Sequence, residues 1–299
     1  MAVMGAPAPV DPVTPQAEVP VRRSASNWIA AAWSDDVVAG ALVPTRVEGM
    51  DLLLYRDADG HVRAADRRCP RRGYPLTDGS VEPTGIRSSV DGWLWSFDGS
   101  ATEPSGVVHR SEPGLVLRHH AVTEVHGLVL VCGGERVPPD VPRLPSPEAW
   151  ISRPTTRAVA SHPLAVLESL ADPCTLSYVL GVGVTGEPRV PVATDDVLHL
   201  QFAVDRRPEC TVDVRAFGTL LMSVSATGHN SGGALIGTTP TGADESLELR
   251  TCAWGGGADW AGMAGRLAEV VAAVRRDQER VVPARRSGLA VVRTWIGRA

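Results

Sequence analysis

The 299-residue sequence carries 29 basic against 34 acidic residues, a formal charge of −5, and 43% of its residues are hydrophobic. That balance offers nucleic acid no basic footprint, and the length allows two ordinary domains, each with a real core. Every basic residue is arginine, as GC-rich coding produces, which says nothing of mechanism.

No apolar run approaches the roughly 20 residues that span a bilayer, so no membrane partner is expected. The five cysteines, Cys69, Cys132, Cys174, Cys210 and Cys252, are scattered and odd in number. They form no disulfide framework and suit a reducing cytoplasm.

Residues 1–22 are rich in Pro and Ala, without a basic start followed by an apolar core. They read as a disordered arm, not a secretory signal. Residues 23–136 read as all-β. DLLLYRDADGHVRAADRRC predicts a hairpin, with a strand at Leu52 to Tyr55, an Asp-Ala-Asp-Gly turn and a second strand from His61. HGLVLVCGG, 126–134, is a buried strand closed by paired glycines. A Pro-rich linker occupies 137–150.

Residues 151–299 differ. Leucines at 164, 167, 170 and 176 predict helix over 162–180, with a break or kink at Pro173. Strand-like runs follow at 197–204, 210–216, 219–225, 233–239 and 246–254. A strong amphipathic helix follows at 260–282. The expected class is α+β, a β domain followed by a helix-backed antiparallel sheet.

The motifs carry more than the pattern. Cys69-Pro70-Arg71-Arg72-Gly73-Tyr74-Pro75-Leu76 is followed by Gly85-Ile86-Arg87, then Gly92-Trp93, then Phe97 to Gly99. This run resembles the Rieske non-haem iron oxygenase family, close to the ketosteroid-hydroxylase-like oxygenase components, from about Trp28 to the end of the chain. The resemblance implies a Rieske-like β domain followed by an oxygenase catalytic domain of START-like fold. It also implies a [2Fe–2S] cluster held by C-x-H and C-x-x-H loops. Those four positions here are Cys69, Arg71, Ser88 and Asp91. A guanidinium offers no lone pair, and serine and aspartate do not replace thiolate and imidazole. No cluster is therefore expected, and Arg71 and Asp91 are candidates for an ion pair across the two loops.

The second domain of that family binds Fe(II) through Asp-x-x-His-x4-His and a later carboxylate. The matching stretch has Asp172, but Thr175 and Leu180 stand at the histidine positions, and Asp277 is the best match for the carboxylate. No metal and no cofactor are expected.

A pocket built for large apolar substrates would then be left for non-redox work. Thr175, Leu180 and Leu176 are expected on its wall, and Tyr178, Asp172 and Asp277 as its catalytic groups. The reading is a cyclase or cycloaddition catalyst ([4+2]-type or related) acting on a polyketide-like intermediate in natural-product or antibiotic biosynthesis. A scaffold subunit beside an active oxygenase and a small-molecule carrier are the alternatives. The resemblance also implies a homotrimer or other homo-oligomer. Of the histidines, His119 and His120 read as a surface loop before a strand, and His229 as loop. Of Trp93 and Trp95, one is expected in the core and the other at an interface or exposed.

Overall fold

The computed structural model describes residues 27–110, 112–134, 137, 141, 155–194, 196–228, 231–241, 246–255, 260–277 and 287–296. The expected arm at 1–22 and nearly all of the linker at 137–150 lie outside them, as does His229.

The first half is strands alone. β1 (Trp28–Trp33) is followed by β2 (Val43–Val47), β3 (Met50–Arg56) and β4 (Val62–Asp66). Five short strands come next: β5 (Ser80–Glu82), β6 (Gly85–Arg87), β7 (Leu94–Ser96), β8 (Ala101–Thr102) and β9 (Val108–His109). β10 (His119–His120), β11 (Val122–Val125) and β12 (Leu128–Cys132) complete the half. They form three antiparallel sheets, in the orders β1-β12-β11, β10-β4-β3-β2 and β5-β6-β7-β8-β9.

The predicted hairpin is β3–β4, paired from Leu52↔Asp66 to Arg56↔Val62. Its residues are buried on both faces, so the apolar run Leu52 to Tyr55 does not alternate with polar residues. Leu52 and Leu54 pack with Ile29, Val129 and Val131 on one side. Leu53 and Tyr55 pack with Leu76, Ile86 and Trp95 on the other. A central strand between two sheets reads this way because successive side chains point to opposite faces.

The second half is a seven-stranded antiparallel sheet in the order β13-β19-β18-β17-β16-β15-β14. Its strands are β13 (Thr155–Ala160), β14 (Val184–Ala193), β15 (Val197–Val204), β16 (Arg207–Phe217), β17 (Leu221–Ala226), β18 (Gly232–Pro240) and β19 (Ser246–Gly255). Four helices accompany it: α1 (Pro163–Leu170), α2 (Pro173–Leu180), α3 (Trp260–Asp277) and α4 (Ser287–Ile296). One sheet face packs Leu198, Leu200, Phe202, Val212 and Val214 against Val166, Leu167, Leu176, Leu180 and Leu267 of the helices. Pro173 begins α2 instead of kinking one long helix, since a proline at the first helical position gives up no internal hydrogen bond. The α+β class is as expected.

The opposite sheet face seats the first domain. Trp28, Ala30, Leu128 and Leu130 pack with Leu221, Leu235, Cys252 and Trp254. The Ala30 carbonyl accepts hydrogen bonds from Thr239 Oγ1 at 2.7 Å and Arg250 Nη1 at 2.9 Å. A Cβ at Gly237 would come within 2.3 Å of the Ala30 Cβ, so the domains meet closely where β18 has no side chain. Among the described residues no helix is long and apolar enough to cross a membrane.

Candidate functional site

Two loops of the same construction face each other at the edge of the five-stranded sheet. In the first, the Cys69 amide donates to the Tyr74 carbonyl at 2.8 Å and the Gly73 amide to the Cys69 carbonyl at 2.8 Å. In the second, the Ser88 amide donates to the Trp93 carbonyl at 2.8 Å and the Gly92 amide to the Ser88 carbonyl at 3.1 Å. Gly73 and Gly92 hold φ of 73° and 71°, left-handed values that a Cβ disfavours. Cys69 and Ser88 thus occupy equivalent places.

The side chains between the loops are bonded to one another. Arg71 Nη2 donates to Asp91 Oδ2 at 3.0 Å, so the expected ion pair forms. Its guanidinium lies 4.6 Å above the Trp93 ring centroid, a cation–π geometry. The hydroxyls of Tyr74 and Ser88 are 3.0 Å apart. Ser88 Oγ also accepts from the Val90 amide at 3.2 Å. Burial alone would raise the Asp91 carboxyl, but bonds from Tyr74, Ser88, the Trp93 amide and Arg71 hold it below the usual range. Burial, then Asp91 and Cys69, push the Tyr74 hydroxyl well above its ordinary value. Cys69 itself is buried.

The reading of Trp93 and Trp95 needs correction. Both are buried, and their rings stack at 5.8 Å. Trp93 is covered by Arg71 on the loop side and by His109 at 5.3 Å, an arrangement of separate segments that strand alternation does not reveal.

Sequence reasoning passed over Tyr74 and His109. His109 joins Glu103 through Nε2 at 3.0 Å and Glu112 through Nδ1 at 3.1 Å. Its pKa is raised by Glu112 first and Glu103 next. A raised folded pKa stabilises fully below the ordinary histidine value of about 6.5, and that contribution is lost as pH rises through the folded pKa. We expect wild-type melting temperature to fall from pH 6 to above the folded pKa of His109 more than that of His109→Gln, as thermal melts across the range would read. Equal pH profiles for the two proteins would refute the assignment.

In the second domain, Asp172 caps α2. Its Oδ2 accepts from the Thr175 amide at 3.1 Å and from Thr175 Oγ1 at 2.7 Å. This is ordinary N-cap chemistry, and it turns the Thr175 hydroxyl toward the helix start. Leu176, Val179 and Leu180 form the buried stripe of α2. Tyr178 does not join them and is corrected here. It is 54% exposed, and its hydroxyl donates to Glu269 of α3 at 3.2 Å. Two residues advance a helix by about 200°, so Tyr178 and Leu180 point to opposite sides. Thr175 and Leu180 likewise do not share one wall. Asp277 is the last residue of α3, and its side chain lies outside the described residues.

Leu180 lines a small apolar hollow of about 30 Å³ with Val182, Val204, Cys210, Ala226 and Trp260. The buried Trp260 Nε1 has no hydrogen-bond partner. One acidic group with metal-binding spacing among the described residues is Asp57, Asp59 and His61 in the β3–β4 turn. There Asp57 is already committed: Oδ1 caps the Asp59 and His61 amides, and Oδ2 takes Arg63.

His119 and His120 are also corrected. They form β10, paired with Ala65 and Ala64 of β4, and His120 Nε2 is 2.7 Å from Asp66 Oδ1. A two-residue strand is held by its partner and has no periodicity of its own.

Comparison with known proteins agrees with this architecture. Residues 27–107 match the Rieske [2Fe-2S] domain. The chain is 31% identical over 141 residues to the 5,5'-dehydrodivanillate O-demethylase oxygenase subunit of Sphingobium sp. (strain NBRC 103272 / SYK-6), covering 44% of this chain and 32% of that protein. It is 35% identical over 122 residues to the 3-chlorobenzoate-3,4-dioxygenase oxygenase subunit of Comamonas testosteroni, covering 39% and 28%. These matches thus span about a third of each relative's length. Dicamba monooxygenase bound to dicamba superposes with TM-score 0.66 at 17% identity, covering 92% of this chain and 97% of that one. NdmA of Pseudomonas putida CBB5 superposes with TM-score 0.64 at 12% identity, covering 90% and 87%. At those identities the superpositions speak for the fold alone. Domain match, relatives and fold together make the chain a member of the Rieske non-haem iron oxygenase family.

Proposed function

We propose that this chain is a Rieske-oxygenase-like protein that works without either metal centre and performs non-redox ring formation on a large apolar, polyketide-like intermediate. The observation that carries the metal-free part is the Arg71–Asp91 pair seated on Trp93. Of the four loop positions only Cys69 carries a soft donor, and the guanidinium and carboxylate are engaged with each other. Such a set does not fit a [2Fe–2S] centre, which rests on thiolate and neutral imidazole. The iron positions do not fit either, because Asp172 caps its own helix with Thr175 and Leu180 offers no donor atom. No step is routed through iron.

What remains is an apolar helix–sheet interior in which the Trp260 N–H stands unpartnered beside Leu180. An enclosure of that kind accelerates cyclisation by holding the reacting ends together, worth about 7–11 kcal/mol in favourable intramolecular cases. Asp277 stays a candidate proton-transfer group; Tyr178 on the outer side of α2 does not, and Asp172 acts through the helix cap. The reading takes no cofactor and places the protein in the cytoplasm, as a homo-oligomer such as a trimer.

The hollow at Leu180, about 30 Å³, favours a second reading. A closed interior suits a scaffold subunit beside an active oxygenase better than a carrier.

The test is to delete the gene, isolate the metabolite that accumulates and add purified protein. Ring formation without redox predicts a product of unchanged mass. A product heavier by one or two oxygens overturns the proposal, and conversion only in the presence of an active oxygenase establishes the scaffold. Leu180→Trp should abolish conversion while costing about 1–3 kcal/mol of stability, read by substrate assay beside denaturant unfolding. Tyr178→Phe should leave turnover unchanged.

A further inference from the structure

A second enclosure lies in the first domain, away from both loops. It is a cleft of about 540 Å³ between β4 and the β10–β11 segment. That volume falls within the range of small-molecule sites. Its charged or ring-nitrogen side chains are His61, Arg63, His119 and His120, and no carboxylate lines it. Phe97 and Trp28 contribute flat apolar wall.

The two carboxylates nearby stand behind these groups and orient them. Asp57 holds Arg63 through Nε at 2.8 Å, which leaves the terminal guanidinium nitrogens for a ligand. Asp66 holds His120 through Nε2 at 2.7 Å, and the His120 side chain is only 5% exposed. Arg63 lies 5.6 Å from the Phe97 centroid, and His119 meets the same ring edge-on at 6.4 Å. Burial lowers the His119 pKa, so that imidazole is a neutral part of the wall. A guanidinium fixed beside an aromatic face is suited to a planar anion, since its fork matches a carboxylate and the ring accepts the flat body.

We propose that this cleft binds a small planar organic carboxylate, with the carboxylate on Arg63 and His120 and the apolar body against Phe97 and Trp28. The site belongs to the first domain and stands independently of the metal-free reading. It gives that domain a binding role separate from the loops at Cys69 and Ser88.

Calorimetric titration of the full chain tests it with three probes: 2-naphthoate, its neutral amide 2-naphthamide, and inorganic phosphate. Naphthoate is expected to bind one per chain, about tenfold or more tighter than the amide, with phosphate weaker still. Arg63→Gln should weaken naphthoate about tenfold or more and leave the amide little changed. Because that change releases Asp57, Thr123→Phe, which fills the cleft and keeps both ion pairs, serves as the second variant and should remove binding of naphthoate. Failure of folded wild-type protein to bind naphthoate, or equal binding of acid and amide, overturns the proposal. Binding by folded Thr123→Phe at wild-type strength overturns it too, as does phosphate binding as tightly as naphthoate.

Discussion

Protein purified anaerobically should contain less than about 0.1 iron per chain and show none of the visible absorption of a [2Fe–2S] centre. The reason is local and chemical. Two irons of a Rieske centre need two thiolates and two neutral imidazoles, and the loops present Cys69, Arg71, Ser88 and Asp91. Arg71 stays protonated at any ordinary pH and is already bonded to Asp91 at 3.0 Å. The backbone, by contrast, is intact: both loops keep their paired turns and left-handed glycines. The triple replacement Arg71→His, Ser88→Cys and Asp91→His should therefore take up iron on reconstitution and acquire colour. Metal analysis with visible spectroscopy reads both proteins. About two irons per wild-type chain would sink the metal-free reading.

A double-mutant cycle at Arg71 and Asp91 should show strong non-additivity. The pair is partly buried, with side-chain exposures of 28% and 12%. Removing one partner leaves the other charge incompletely bonded in a half-wet site. Fully buried pairs lose about 3–5 kcal/mol on such a change; this one should lose about 2 kcal/mol for Asp91→Ala and somewhat less for Arg71→Ala. A coupling energy of about 1 kcal/mol is expected from urea unfolding of the four proteins. Strictly additive losses would show that the contact contributes nothing. The pH dependence has a definite sign, because the Asp91 pKa is depressed in the folded state. Its contribution is complete above the ordinary aspartate value of about 3.9 and disappears as pH falls through the lower folded value. Arg71→Met should retain part of the stability, since its stem still covers Trp93.

Much of the framework is local and was readable as such. The Asp-Ala-Asp-Gly turn between two apolar runs specifies β3–β4, and β15 spans the predicted 197–204. Pro173 after Asp172 specifies a helix start, because that proline needs no amide partner and that carboxylate caps one. Residue chemistry alone shows which atoms stand at the four loop positions. β13, β14, β10 and α4 were not readable. β14 is an exposed edge strand with Pro188 and Pro191, and it owes its conformation to pairing with β15. The roles of Trp93 and His109 required segments far apart in the chain to meet, and so did the cleft at Arg63 and His120. Tyr178 shows the limit within a single helix. Spacing places it opposite Leu180, but only the packing of α2 against α3 and the sheet decides which of those two sides is interior. By itself the sequence determined turns, caps, strand cores and the loss of donor atoms, because each depends on neighbouring residues or on one side chain's chemistry. The tertiary structure alone decided burial, ion pairing and enclosure, because these are properties of distances between residues that the chain order keeps apart.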